Sequence, residues 1–143
     1  MSNKYEWGKR NHDLSTKLLS EGIYFDWAVT TAFYSAVQYT EDVLFPSIIN
    51  GVYCTEIGAA RSVCKLDGRH ATRERLVYSI MGNTTGAYYK WLDDRSRTAR
   101  YKTYKIEKAI AEKAVDYLHR ILEACSAEKN AIKKTKKVKE VLL

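Results

Sequence analysis

The spacing of apolar residues along the chain predicts an all-α fold. Apolar side chains recur at helical rather than alternating intervals through most of the sequence. One proline and seven glycines are present, so few positions force the chain to turn. We therefore predict about five helices, which a chain of this length can pack around a single core.

Capping residues, glycine and proline set the bounds of the first two predicted helices. Asn3 followed by Glu6 resembles a capping box, and Gly22 supplies a stop for the first helix. The second helix ends at Phe45 because Pro46 pushes the preceding residue out of helical geometry. The apolar surface of this second helix is wide, which predicts that it is the central helix of the fold.

The remaining chain is predicted to contain three further helices after an irregular region. Residues 47–68 are interpreted as a partly mobile insertion, in which residues 55–64 could form a short helix. A third helix spans about 70–82, and a short helix follows it until the arginine-rich segment 94–104 interrupts the pattern. The final helix is predicted from Tyr104 to about Cys125, because apolar residues hold one face of it throughout.

The basic charge is concentrated towards the end of the sequence. The formal net charge of +7 favours association with polyanions, but six lysines between Lys129 and Lys139 supply much of that excess. We divide the chain into a helical bundle over residues 1–125 and a basic C-terminal tail over 126–143, predicted to be frayed helix or disordered. The tail could hold RNA or an acidic partner, or it could be a solvated segment.

Several classes of protein are disfavoured by what the sequence lacks. Three widely spaced cysteines without a Cys-x-x-Cys pair favour a reduced, cytoplasmic protein. No window approaches the roughly eighteen apolar residues of a membrane span. The glycine-rich phosphate loop and the common hydrolase motifs are absent, and His12, His70 and His119 are too dispersed to indicate a metal site. We predict neither a metal nor a cofactor.

Two arginine-bearing segments are the strongest candidates for a functional site. Segment 94–104 contains three arginines and two tyrosines at the predicted start of the last helix. Segment 68–75 lies at the start of the third helix and has His70 and Arg73 on one face. Guanidinium groups fork onto phosphate or carboxylate, and phenols beside them can stack on a base. If the segments converge, one polar pocket would be lined by His70, Arg73, Arg97 and Arg100, with Tyr101 or Tyr104 at its edge. Surface ion pairs, with Asp93, Asp94 and Glu107 as partners, are the alternative.

The arrangement of these motifs resembles the HEPN superfamily across most of residues 10–125. The resemblance is carried by Asn-His-Asp at 11–13, by Asp-Trp-Ala-Val at 26–29 with Ala-Phe-Tyr-Ser-Ala at 32–36, by a His-x-x-Arg at 70–73, and by Ser-Arg-Thr-Ala-Arg-Tyr at 96–101. It implies a compact up-and-down helical bundle that forms a homodimer. Many members of the superfamily are RNA-cleaving toxins or defence effectors, whereas others bind nucleotides or are partners of nucleotidyltransferases. An antitoxin or a nucleotidyltransferase is therefore an implied partner.

The sequence departs from the pattern of active HEPN members, in which a histidine follows the motif arginine. Arg97 matches that arginine, but Lys102 and Tyr104 occupy the positions where the histidine would lie. Arg97, Lys102 and Tyr104 are thus the candidate catalytic residues, with His70 as a substitute proton carrier, although lysine transfers protons poorly near neutral pH unless its pKa is lowered. We expect nucleotide or RNA binding with weak or absent ribonuclease activity. The alternatives are an active metal-independent endoribonuclease of a toxin or phage-defence system, and a structural protein-interaction module.

Overall fold

A computed structural model describes residues 3–143 and confirms the mainly α-helical prediction. Its helices are α1 Lys4–Glu21, α2 Phe25–Leu44, α3 Ile57–Cys64, α4 Gly68–Leu76, α5 Asn83–Tyr101 and α6 Lys108–Thr135. A π-helical turn, Val77–Met81, continues α4. Three short strands form one sheet, and they are β1 Ser47–Ile49, β2 Val52–Cys54 and β3 Lys139–Val141.

Helix α2 is the centre of the fold, as its wide apolar surface predicts. Helices α1, α5 and α6 all pack against it. Most of the largest fully buried side chains come from α2 and from the helices around it, and they include Phe33, Tyr39, Tyr89, Leu92 and Leu118. Burying an aliphatic or aromatic side chain of this kind stabilises the folded chain by about 1.5–3 kcal/mol.

Helix α1 lies close against α2 because a glycine faces an aromatic ring. Gly8 has no side chain, and a Cβ placed there would lie 2.6 Å from the Tyr39 ring. The Ser35 hydroxyl donates a hydrogen bond to the Gly8 carbonyl at 2.6 Å across the same contact. Gly22 ends α1 with φ of 73°, as predicted, whereas the Asn3 side chain forms no capping hydrogen bond.

Residues 47–68 form regular structure rather than the irregular insertion that the sequence suggests. Strands β1 and β2 pair antiparallel, and the possible short helix at 55–64 is present as α3. The Glu56 carboxylate caps α3 by accepting hydrogen bonds from the backbone N–H groups of Gly58 and Ala59 at 2.9 and 2.7 Å. Those two hydrogen bonds lower the pKa of Glu56.

The predicted break in the helical pattern near residue 94 is wrong. Helix α5 continues through the arginine-rich segment to Tyr101, so this segment ends α5 instead of opening the last helix. The buried stripe of α5 passes from Leu92 to the small residues Ser96 and Ala99. Small residues carry little apolar signal in a sequence, yet they allow the helix to continue packing against its neighbours.

The predicted end of the last helix at Cys125 is also wrong, because α6 continues to Thr135. Beyond it, β3 pairs in parallel with β1, so residues 126–143 form a helix and a strand rather than a frayed or disordered tail. The Lys129 ammonium pairs with Asp42, and Lys139 pairs with Glu128 at 2.8 Å. Across residues 3–143, no helix combines the length and apolar character needed to cross a membrane.

Candidate functional site

The structure brings the two arginine-bearing segments together beside α2. Helices α4 and α5 contact each other, and His70 Nδ1 lies 3.3 Å from Arg73 Nη1. The charges of Arg97 and Arg100 on α5 also reach the His70 imidazole. The polar pocket proposed from the sequence thus has its residues in one region, but they differ in how much water reaches them.

Arg73 lies beneath the surface and is paired inside the protein. Its side chain is 7% exposed, and its Nη2 lies 3.2 Å from the Glu41 carboxylate, which is also buried. Lys4 approaches the other oxygen of Glu41 at 3.1 Å. The buried Tyr89 hydroxyl lies beside the Arg73 guanidinium and interacts with it electrostatically. Arg73 therefore tethers α4 to α2, and its position does not favour the predicted direct contact with a ligand.

Arg97 forms a bidentate pair with the carboxylate of Asp93. Arg97 Nε and Nη2 donate to the two Asp93 oxygens at 3.0 and 3.1 Å. The Asp93 side chain is only 5% exposed, whereas that of Arg97 is 54% exposed. The sequence predicts that the Arg97 guanidinium binds phosphate, but in the structure it binds the buried Asp93 carboxylate one helical turn away. This arrangement supports the ion-pair alternative for Arg97.

Arg100 is held at the surface by hydrogen bonds and by two aromatic rings. Its Nε and Nη1 donate to the Ser96 carbonyl at 3.2 Å and to the Tyr34 hydroxyl at 2.9 Å, and Nη2 donates to Ser96 Oγ at 3.4 Å. The guanidinium carbon lies 5.5 Å from the centre of the Tyr34 ring and 5.0 Å from that of Tyr101. Since a guanidinium has five N–H donors, Arg100 retains capacity to bind an anion.

A groove of about 390 Å³ lies between the start of α2 and the end of α5, and we call it the aromatic groove. It is lined by Asp26, Trp27, Thr30, Ala99, Arg100, Tyr101, Lys102, Thr103 and Tyr104. Trp27, Tyr101 and Tyr104 are 55%, 77% and 71% exposed. Four residues predicted for the site therefore share one surface, while Arg97 and His70 lie outside its lining.

Trp27 is a candidate site residue that the sequence reasoning missed. It lies off the buried face of α2, and the neighbouring Ala28 and Val29 are fully buried. A large aromatic residue on the polar side of an amphipathic helix is the signal that could have identified it.

His70 is the titratable group beside the arginines. His70 is exposed at the surface as a whole, but partial desolvation of its ring lowers its pKa, and the positive charges of Arg73, Arg97 and Arg100 lower it further, against an opposing effect of Asp93. This lowering favours the neutral imidazole near pH 7, which is the form that can accept a proton. Lys102 is exposed at the end of α5, so its ammonium lacks the burial that a proton-transferring lysine needs.

Within the described part of the chain, no three histidine, cysteine, aspartate or glutamate residues are grouped so that they could hold a metal ion.

Comparison of the chain with family models, with curated proteins and with solved structures finds no match.

Proposed function

We propose that this chain is a HEPN-like helical domain that binds a nucleotide or single-stranded RNA in the aromatic groove, with weak or no ribonuclease activity. The observation that carries the proposal is the shared lining of that groove, where exposed aromatic rings adjoin the cations Arg100 and Lys102. Ring faces and cations on one surface are the combination that single-stranded nucleic acid requires.

Each part of the groove has a chemical role in this proposal. Stacking of a base on Trp27, Tyr101 or Tyr104 contributes roughly 1–3 kcal/mol per base. Arg100 and Lys102 bind phosphate, and the rings of Tyr34 and Tyr101 hold the Arg100 guanidinium in place before the ligand arrives. The Asp26 carboxylate repels phosphate, so we place a base amino group or a ribose hydroxyl beside it.

The size and charge of the protein support the same ligand class. The groove volume of about 390 Å³ falls within the range of roughly 300–1,000 Å³ typical of small-molecule sites. The net charge of +7 draws polyanions towards the surface at low ionic strength.

The test is binding of a short fluorescein-labelled single-stranded RNA, followed by fluorescence anisotropy. Trp27→Ala is expected to weaken binding by about tenfold through lost stacking. Trp7→Ala is the matched control, because Trp7 is 54% exposed on α1 and does not line the groove. Arg100→Ala is compared in the same way with Arg95→Ala, an exposed arginine elsewhere on α5. Equal affinities within each pair would contradict the proposal.

Thermal unfolding in the presence of nucleotides separates the proposal from a purely structural interaction module. A nucleotide present at a hundred times its Kd should add about 2.7 kcal/mol to the free energy of unfolding. An unchanged melting temperature, together with absent RNA binding, would favour the interaction module.

A second candidate function, metal-independent RNA cleavage, is favoured by the position of His70. The His70 imidazole lies within electrostatic range of Arg100, and in its neutral form it can accept a proton from a ribose hydroxyl while Arg100 stabilises phosphate charge. Cleavage of total RNA in EDTA that is lost in His70→Ala, but retained in His119→Ala, would establish this function and overturn the weak-or-absent activity proposed above. In that case the proposed context is a toxin or phage-defence system with an antitoxin partner.

We further propose that the chain forms a homodimer, as the HEPN resemblance implies, with a nucleotidyltransferase as the alternative partner. Helix α2 is buried within one chain over most of its length. We therefore place the exposed face of α6 near the dimer axis.

A further inference from the structure

A second cavity, of about 450 Å³, lies at the other end of α2 from the aromatic groove. The end of α2 and the residues that follow it form one wall, and the last turns of α6 with the segment leading into β3 form the other. The lining consists of Asp42, Val43, Phe45, Pro46, Lys129, Ile132, Lys133, Lys136, Lys137, Val138 and Lys139. We propose that this C-terminal cavity binds a small organic anion in which an apolar body is joined to a phosphate or carboxylate group.

The apolar part of the lining selects the body of the ligand. Val43, Phe45, Pro46, Ile132 and Val138 contribute aliphatic and aromatic carbon from both walls. Transfer of an apolar group from water onto such a surface is favourable by roughly 25 cal/mol per Å² of buried area. The volume lies within the range of roughly 300–1,000 Å³ found for small-molecule sites.

The charged part of the lining selects the head group. Two of its lysines are already neutralised, since Lys129 pairs with Asp42 and Lys139 pairs with Glu128. In the described chain, Lys133, Lys136 and Lys137 form no ion pair with a carboxylate. Three lysines without a carboxylate partner thus line one cavity; their positive charge attracts an anion, and an ammonium group can donate hydrogen bonds to phosphate or carboxylate oxygens.

Helix electrostatics alone do not account for these lysines. A cation in the last turn of a helix is stabilised by the negative end of the helix dipole, and Lys133 is in that turn. Lys136 and Lys137 follow the last helical residue, Thr135, and they line the same cavity as Val43 and Phe45 at the end of α2. Their placement opposite an apolar wall is what an amphiphilic anion would complement.

The lining also distinguishes this ligand from the nucleic acid proposed for the aromatic groove. Phe45 is the one aromatic residue among the described lining residues, and it is half-buried. Exposed stacking faces such as those of Tyr101 and Tyr104 are missing from this lining, so an aliphatic body fits it better than a base.

The test is isothermal titration of the full chain with decyl phosphate, kept below its micelle concentration, and in a second arm with decanoate. We expect saturable binding of one molecule per chain to at least one of the two probes. A variant combining Lys133→Gln, Lys136→Gln and Lys137→Gln should bind at least about tenfold more weakly. Lys134→Gln is the matched control, because Lys134 is exposed in the same turn of α6 and does not line the cavity.

Absence of saturable binding of both probes would overturn the proposal. Equal affinity of the triple variant and Lys134→Gln for the probe that binds would also overturn it, as would binding of inorganic phosphate as tight as that of decyl phosphate. The last result would mean that charge alone is recognised. Trp27→Ala should leave decyl phosphate binding unchanged, so this inference and the RNA-binding proposal can fail separately.

Discussion

Removal of the Arg97 side chain should destabilise the protein, because Asp93 would be left buried without its partner. Asp93 is 5% exposed and receives both hydrogen bonds of the Arg97 fork. Breaking an ion pair in which both groups are buried costs about 3–5 kcal/mol. Since Arg97 itself is 54% exposed, water can partly replace it, and we expect Arg97→Ala to lower the free energy of unfolding by about 2–3 kcal/mol. Arg97→Lys, which keeps the charge but loses the fork, should lose less.

The chain offers a matched control for this prediction in the pair of Arg120 and Asp116. Both pairs join an aspartate to an arginine one helical turn later with an Nε to oxygen distance of 3.0 Å. The Asp116 side chain is 55% exposed, however, so Arg120→Ala should change stability little even though Arg120 also contacts Tyr88. Urea unfolding of both variants gives the comparison. Equal losses, or no loss in Arg97→Ala, would refute the reasoning that burial of Asp93 decides the cost.

Three further predictions concern stability and assembly. Burial and the charge of His119 lower the pKa of His12 against the opposing effect of Asp13. The stability that neutral His12 contributes is therefore present above about pH 6.5 and is lost as the pH falls through the lowered pKa of the folded state. In urea unfolding, His12→Gln should lose less stability than wild type between about pH 7.5 and 5.5. Gly8→Ala should cost about 1–3 kcal/mol in the same assay, because the new methyl group meets the buried Tyr39 ring. Light scattering at micromolar concentration should show twice the chain mass of 16.5 kDa, and a species of single mass would contradict the homodimer.

The helices with a strong apolar stripe were predictable from the sequence, because the signal is carried by large side chains and clear stops. The wide apolar surface of α2 and its end before Pro46 are examples. The continuation of α5 was not predictable in this way, since its buried stripe passes through Ser96 and Ala99. The extended part of α6 contacts distant residues, as in the pair of Lys129 with Asp42, and no local pattern contains such contacts.

The candidate site was predictable only in part. Residue type identified Arg100, Tyr101 and Tyr104, and the motif of the resemblance identified Lys102; these four residues line the aromatic groove together. The roles of the other arginines depend on burial and on partners, and the chain must fold before either exists. Arg73 pairs with Glu41, thirty-two positions earlier in the chain.

The most direct test of the proposed function is the emission of Trp27 itself during titration with a short single-stranded RNA. The sequence has three tryptophans, and a variant carrying Trp7→Phe and Trp91→Phe retains only Trp27. Base stacking on its exposed ring should quench this emission along a saturable curve that matches the binding curve from anisotropy. Emission that stays unchanged while the RNA is bound would place the RNA elsewhere and contradict binding in the aromatic groove.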